Sequence, residues 1–299
     1  GKDLQDTIGN IDVNNNGNIA EQLNNLKNDK INITEIEDSL ISDSANKVLS
    51  AKQGKILNDT LKKKVYYFNT VADMKAATSL KENDMVITLG YYEPNDGGAG
   101  EYKIIDSATS DNYTVFQIEN GKYANLVIKD NIINIKTIGG KTDIDIHDYI
   151  LAIINKNCEC FIPQGVWKTS PIQISKYNSI RISGYSVFAN NNSNGTILQA
   201  ISDQDYILKI GYDNTTSVCA DVSIKNIQFS TGAYTCTNAL FIYRVGYSNF
   251  SELCFRKCKC TNSALKIVEM WESRIGRILF RQIDSPYALI FGTKVGDGN

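Results

Sequence analysis

The sequence predicts a mainly β solenoid, a parallel β-helix, from three observations. Short strand-like runs fill the last third of the chain, and these runs show almost no helical pattern. Two apolar clusters recur there every 24 to 26 residues. In the first, Ile224, Ile227 and Phe229 correspond to Phe250, Leu253 and Phe255, and these correspond to Ile275, Ile278 and Phe280. In the second, Ala239-Leu240 corresponds to Ala264-Leu265 and then to Ala288-Leu289. A fixed period in this range marks units that bury their apolar face only by stacking on their neighbours.

Length and charge set the class of protein. At 299 residues the chain has room for two or three domains. A net charge of −2 favours neither nucleic acid nor an anionic membrane surface. No apolar run reaches the length of a membrane span. The chain starts without Met or a signal-peptide pattern and ends within a repeat, so we expect a processed start and a longer natural protein.

The seven cysteines predict no disulfide framework, because their number is odd and no secretory signal is present. The Cys158-x-Cys160 and Cys258-x-Cys260 spacings are too short for the usual zinc turn, and His147 is the single histidine. We therefore expect thiols packed as small hydrophobic groups in a chain made in a reducing cytosol. No metal site and no cofactor is predicted.

Residues 1–64 are predicted to form a helical or coiled-coil anchor and stalk. Leu26, Ile33 and Leu40 are seven residues apart, which is a weak heptad pattern. The segment from Ser50 to Gln53 fits a capping box before a second helical pattern. A segment this polar is stable mainly when it assembles with copies of itself or docks on a partner. The alternative is a partly disordered tail.

Residues 65–131 are predicted to form a small α/β head or neck module. Thr70 fits the cap of a short helix, and strands are expected at 85–89 and 101–104. The glycine-rich loop between these strands resembles a phosphate cradle in composition only. A phosphate loop leads directly into a helix, whereas this loop leads into a strand, so nucleotide binding is not expected.

Residues 132–299 are predicted to hold a capping helix and the first coils of the β-helix. Asp145 fits the cap of a helix whose apolar face includes Ile146, Ile150 and Ile153. Short strands follow around Pro163-Gln164-Gly165, which fits a tight turn. We expect the helix to cover the open end of the β-helix, where unpaired backbone would otherwise face water.

Three stretches resemble the tailspike and tail-appendage proteins of bacteriophages. The segment 69–102, with its Asn95-Asp96-Gly97-Gly98-Ala99-Gly100 loop, is similar to the neck module of many tailspikes, and 120–124 and 135–140 extend that likeness. The Ile162–Trp167 segment after the helix looks like the entry to a right-handed, pectate-lyase-like β-helix, with Trp167 in place of Tyr. The segment 42–55 looks like a recurrent linker of phage fibres.

The resemblance implies a homotrimeric virion appendage made in the bacterial cytoplasm. Its N-terminal part would attach to tail, portal or collar proteins, and its β-helix would meet a host-surface polysaccharide. Two alternatives stay open. One is a polysaccharide depolymerase, a hydrolase or lyase, with its active site in later coils or between subunits. The other is a non-viral secreted enzyme, which predicts a signal peptide and a monomer.

Candidate site residues follow from the chemistry of sugar recognition and cleavage. Glycoside hydrolysis needs two carboxylates flanking the bond, and Glu252 and Glu269 are the candidates. The repeat places Glu252 over Arg277 and Arg244 over Glu269, so cross-coil ion pairs are the competing interpretation. The candidates for stacking on sugar rings are Tyr243, Tyr247 and Trp271. These three side chains could equally fill a subunit interface.

Overall fold

The structure, a computed structural model, describes residues 36–37, 48–61, 65–177, 179–187, 195–214 and 216–292. The chain separates into two units, residues 1–64 and residues 65–299.

In the first unit, strands β1 (Ile36–Glu37) and β2 (Val48–Leu49) pair in parallel. Helix α1 spans Ala51–Leu61. The Ser50 hydroxyl accepts a hydrogen bond from the Gln53 backbone N–H at 3.1 Å, so the helix begins where the sequence predicts. The predicted heptad residues Leu26, Ile33 and Leu40 lie outside the described residues.

The second unit begins with a five-stranded sheet and a short helix, which we call the neck module. Its strand order is β3-β4-β5-β7-β6, and its core is built from Met74, Val86, Tyr102 and Ile104. Helix α2 starts as predicted, because the Thr70 hydroxyl and the Asp73 carboxylate cap each other's backbone N–H. The elements are β3 Val65–Phe68, α2 Val71–Lys75, β4 Met85–Thr88, β5 Gly100–Ile105, β6 Val115–Gln117 and β7 Tyr123–Leu126.

The remaining strands form a parallel β-helix, as the sequence predicts. Every pairing among them is parallel, and one curled sheet holds fourteen strands. The elements are β8 Ile132–Asn134, a 3₁₀ turn Ile135–Ile138, α3 His147–Asn155, β9 Glu159–Ile162, β10 Gly165–Thr169, β11 Ile172–Ile174, β12 Ile180–Gly184, β13 Thr196–Ala200, β14 Gln204–Ile210, β15 Cys219–Ala220, β16 Val222–Ser230, β17 Cys236–Gly246, β18 Asn249–Trp271, β19 Arg274–Ile275, β20 Ile278–Asp284 and β21 Tyr287–Gly292.

The core consists of columns of side chains that occupy matching positions on successive coils. One column runs through Trp167, Leu198, Phe229, Phe255 and Phe280. Its phenylalanine rings stack with 5.3 Å between centroids at each step. Parallel strands in register place like residues one strand spacing apart, so each coil covers the apolar face of the one before. The predicted repeat register is therefore confirmed.

The coils bend at single residues with positive φ. Strand β18 passes from one side of the β-helix to the other and turns at Glu252, Lys257 and Glu269, whose φ values lie between 53° and 54°. The left-handed region is costly for residues with a Cβ, so stacked pairing on both sides must hold these corners in place.

Helix α3 packs against β9 and β11 at the start of the β-helix. Ile146, Ile150 and Ile153 are fully buried against this coil. Asp145 accepts hydrogen bonds from the backbone N–H of His147 and of Ser170, both at 3.0 Å. The predicted cap at Asp145 is wrong by one residue, because Ile146 is the N-cap and makes no side-chain cap bond. Asp145 instead ties the segment before the helix to Ser170, which agrees with the covering role that the sequence predicts.

All seven cysteines are free thiols buried in the core, which confirms their predicted packing role. Burial, with a smaller contribution from Cys260, raises the pKa of Cys236 to about 12. Burial likewise raises the pKa of Cys260 to about 11. The protonated thiol is poorly nucleophilic, so these groups act as packing atoms. Separately, no helix within the described ranges is long and apolar enough to cross a membrane.

Candidate functional site

The first candidate surface is a column of polar and aromatic residues along one corner of the β-helix. Ala220, Gly246 and Trp271 pair in register on three successive coils. The residues that directly follow these three turn the corner, each with positive φ. The Ala220 N–H donates to the Tyr177 carbonyl, so Tyr177 lies beside Ala220 on the preceding coil. We call this set the corner column: Tyr177, Asp221, Tyr247, Trp271 and Glu272.

The aromatic side chains of the corner column face solvent. Tyr177 is 60% exposed, Tyr247 is 65% exposed and Trp271 is 36% exposed. A hydrogen bond to Glu272 and the charge of that carboxylate, with a weaker effect of Tyr177, raise the pKa of Tyr247. Asp221 forms an ion pair with Arg181 at 2.8 Å. The column thus presents ring faces beside fixed carboxylates, a combination that suits a polar ligand with apolar faces.

Gly246 allows Trp271 to lie flat against the coil below. A Cβ at Gly246 would come within 2.5 Å of Cε2 and Nε1 of the Trp271 ring. Any other residue here would therefore push the indole away from the coil. Tyr247 and Trp271 are predicted from the sequence as candidate stacking residues, whereas Tyr177 and this glycine are not. The 25-residue offset from Gly246 to Trp271 is the signal that pairs them.

The second candidate surface is an outward face of the sheet formed by β14, β17 and β18, and it contains Tyr243. Lys209, Phe241 and Lys266 are register partners on three coils. Their Nζ atoms lie 5.5 Å and 5.1 Å from the Phe241 ring centroid, one from each side. Tyr243 adjoins Phe241 at 5.9 Å. Because a lysine covers each side of the Phe241 ring, this ring is less accessible to a ligand than the rings of the corner column.

Glu252 and Glu269 lie on different corners of one coil, and each forms an ion pair across coils. Arg277 donates to both carboxylate oxygens of Glu252, with its Nε at 3.0 Å and 3.2 Å. Arg244 Nη1 lies 3.1 Å from Glu269, and both side chains are 19% exposed. The Nε of Arg244 is buried without a hydrogen-bond partner. This geometry supports the ion-pair interpretation over a catalytic carboxylate pair.

Metal ligation is not supported by any cluster in the part of the chain that the structure describes. No group of three or more His, Cys, Asp or Glu side chains there is arranged to hold an ion. The groups on the two candidate surfaces are instead rings, hydroxyls, lysines and single carboxylates. Such groups suit contacts with sugars or other polar chains.

A family model described as phage tail fiber repeats matches residues 36–67. A search of curated proteins by sequence finds no match. The matched segment covers helix α1 and continues into strand β3. It overlaps residues 42–55, the segment that resembles a linker of phage fibres.

The solved structure of one phage tailspike shares the fold, and that of a bacterial enzyme is more distantly similar. The gp42 tailspike of an Acinetobacter phage is 17% identical with a TM-score of 0.55, and the alignment covers 72% of this chain and 39% of that tailspike. The WceF glycan biofilm modifying enzyme of Pantoea stewartii is 12% identical with a TM-score of 0.48, over 76% of this chain and 42% of that enzyme. The chain thus contains a segment similar to phage tail fiber repeats and shares the parallel β-helix fold of the gp42 tailspike, of whose length it spans about two fifths.

Proposed function

We propose that the protein is a virion appendage of a bacteriophage that attaches to the particle through its N-terminal part and binds a host-surface polysaccharide through its β-helix. The tail fiber repeat at residues 36–67 and the tailspike fold support the first half of this proposal. The observation that carries the second half is the corner column, with its exposed rings repeated along the axis of the β-helix.

The spacing of the corner column suits a sugar chain that runs parallel to the axis. Each coil rises by about 4.8 Å, so Tyr177 and Tyr247, two coils apart, are separated by about 10 Å. This distance is comparable to two sugar residues in an extended chain. Ring faces would pack on the apolar faces of alternate sugars. Asp221 and Glu272 would accept hydrogen bonds from hydroxyl groups.

Polysaccharide binding is tested with purified envelope polysaccharide of the host and the full chain. We expect Tyr247→Ala and Trp271→Ala each to weaken binding by about tenfold, the effect of losing one well-packed aromatic contact. Tyr234→Ala is the matched control, because Tyr234 is 41% exposed in a loop away from this corner. Equal losses in all three variants, or no loss in the first two, would refute the corner column as the binding surface.

Attachment and assembly form the other part of the proposal. We infer that residues 1–64 dock on tail, portal or collar proteins and that the protein is a homotrimer, since a polar repeat segment of this kind is stabilised by assembly. Light scattering should give three times the 33.2 kDa chain mass. A monomer mass would remove the trimer and would favour the secreted-enzyme alternative.

Cleavage of the bound polysaccharide is the second candidate activity. The observation that favours cleavage is that two carboxylates, Asp221 and Glu272, lie two coils apart beside the exposed rings of the corner column. Incubation with host polysaccharide should produce new reducing ends or unsaturated sugars if the chain is a depolymerase. If Asp221→Asn and Glu272→Gln both keep full cleavage, the active site lies elsewhere. If no new ends form, the protein binds without cutting.

A further inference from the structure

A cleft in the neck module, distant in the chain from the corner column, has the features of a small-molecule site. Its volume is about 710 Å³, within the range of about 300–1,000 Å³ typical of ligand pockets. One wall is helix α2 and the opposite wall is the turn between β6 and β7. The side chains that define it are Val71, Lys75, Tyr91, Tyr92, Gln117 and Glu119.

Two tyrosine rings form one end of the cleft. The rings of Tyr91 and Tyr92 lie 4.7 Å apart at 60°, and Tyr92 is 48% exposed. The Tyr92 hydroxyl donates to the Gly139 carbonyl at 2.7 Å. Burial, followed by the nearby Tyr149 and Tyr91, raises the pKa of Tyr92 to about 12, so its phenol stays neutral and the hydrogen bond is kept at physiological pH. The ring is therefore fixed at its hydroxyl end.

The backbone under these rings is held by one carboxylate. Asp96 accepts hydrogen bonds from four backbone N–H groups, including that of Tyr92 at 2.8 Å and that of Gly98 at 2.7 Å. Burial alone would raise the pKa of Asp96, but these bonds outweigh burial and lower it. The loop that carries Tyr91 and Tyr92 is thus ordered before any ligand arrives, which reduces the entropic cost of binding.

The other end of the cleft carries polar groups of both signs. Lys75, Gln117 and Glu119 line it. Within the described part of the chain, neither Lys75 nor Glu119 forms an ion pair. The Glu119 N–H donates to the Lys75 carbonyl at 2.8 Å, which joins the two walls at this point. A donor, an amide and an acceptor of cancelling charge suit a neutral ligand that has many hydroxyl groups.

We propose that this cleft binds a short neutral oligosaccharide. The Lys141 Nζ lies 4.8 Å from the centroid of the Tyr92 ring, so the other face of that ring packs on the apolar face of one sugar. Lys75, Gln117 and Glu119 bind vicinal hydroxyls of the next sugar. A peptide strand would need free backbone groups to pair with, and the Ile118 N–H beside the cleft is already bonded to Lys122. The site is separate from the corner column, so it gives the chain a second contact with host sugars and does not depend on the first.

The experiment uses the full chain and neutral trisaccharides of glucose, N-acetylglucosamine, mannose and galactose, with binding followed by ligand-observed NMR. At least one trisaccharide should bind saturably with a dissociation constant below about 10 mM, where the binding free energy is small but measurable. Tyr92→Ala should weaken that binding by about tenfold, and Glu119→Gln should weaken it by a smaller factor, because each removes one contact. Circular dichroism of both variants checks that the module is folded.

Two control variants locate the site. Tyr67→Ala removes another exposed tyrosine of the neck module, 67% exposed on β3, and should leave binding unchanged. Tyr234→Ala, 41% exposed in the loop between β16 and β17 and outside both proposed sugar sites, should also leave it unchanged. The inference fails if none of the four trisaccharides binds. It also fails if both cleft variants bind like the unmodified chain, or if Tyr234→Ala weakens binding as much as Tyr92→Ala does.

Discussion

At the scale of single residues, the β-helix depends on side chains that repeat the same contact from coil to coil. Phe255 is the clearest case, since its ring stacks on Phe229 below and Phe280 above at 5.3 Å. Its side chain is fully buried. A residue in this position supports two interfaces between coils at once.

Phe255→Ala should therefore lower the free energy of unfolding by about 3–5 kcal/mol, the usual cost of deleting a buried ring and leaving a cavity. Tyr234→Ala is the matched control, because Tyr234 lies in the loop between β16 and β17 and is 41% exposed, and its loss should be less than about 1 kcal/mol. Urea unfolding followed by circular dichroism measures both. Similar losses in the two variants would contradict the stacked core.

A second residue links stability to pH. Asp111 accepts hydrogen bonds from the backbone N–H of Tyr113, Thr114 and Val115 and forms an ion pair with Lys156 at 2.9 Å. Burial would raise the pKa of Asp111, but the bonds from Lys156, Thr114 and the backbone outweigh it and hold the pKa well below its ordinary value. Asp111 thereby ties the neck module to helix α3.

A carboxyl group whose pKa is lowered by folding stabilises the protein above its unfolded pKa, about 3.9, and this contribution is lost as the pH falls below that value. The melting temperature should therefore fall progressively as the pH is lowered from about 4 to about 2, towards the folded-state pKa. Asp111→Asn should melt lower at pH 7 and should lose less on acidification. Parallel melting curves for the two proteins across this range would contradict the assignment.

At the scale of elements, the corners of the coils are the feature that the sequence does not predict. Strand propensity and apolar spacing predicted the strands, but a left-handed conformation at Glu252, Lys257 or Glu269 has no local signature. Glycine and asparagine are the usual signals for this conformation. Here the pairing of adjacent coils sets the backbone, and the ion pair of Glu252 with Arg277 occupies the outward side chain.

Replacing Glu252 by glycine and by alanine separates these two contributions. Both variants lose the ion pair, but only glycine adopts a φ of 53° without steric cost. We expect Glu252→Gly to be more stable than Glu252→Ala by about 1 kcal/mol. Thermal unfolding measures the difference. If alanine is the more stable of the two, the positive φ at this corner is wrong.

At the scale of the whole molecule, the sequence alone predicts which residues stack wherever successive coils have the same number of residues. The steps from Ile224 to Phe250 and on to Ile275 are 26 and 25 residues, and the structure pairs these residues. The same column continues N-terminally through Ile182, Cys160 and Ile133. Those steps are 42, 22 and 27 residues, because loops of different length leave the coils, so no period was detectable.

The candidate site was less predictable than the fold. Tyr243, Tyr247 and Trp271 are the aromatic residues that the sequence predicts to stack on sugar rings, and the structure brings only Tyr247 and Trp271 into the corner column. Tyr177 lies in an early coil of irregular length, and its place beside Ala220 depends on a backbone contact that only the folded chain shows. The neck cleft brings together residues 71–76, 91–92 and 117–121, whose proximity has no periodic signal.

The register of adjacent coils is the claim on which the fold and the corner column both depend. All seven native thiols are buried, so engineered surface cysteines can be oxidised selectively. Lys225 and Ser251 are register partners, and strand spacing places their Cα atoms about 4.8 Å apart, within the range for a disulfide. Arg274 lies two coils beyond Lys225, because its register partner Asn249 is on the same coil as Ser251.

The decisive measurement is disulfide formation in two double variants, read by mass spectrometry of unreduced tryptic peptides. Lys225→Cys with Ser251→Cys should form an intramolecular bridge on mild oxidation. Lys225→Cys with Arg274→Cys should form none, because two coil spacings separate these positions by more than about 7 Å. A bridge in the second variant, or none in the first, would contradict the stacked parallel coils.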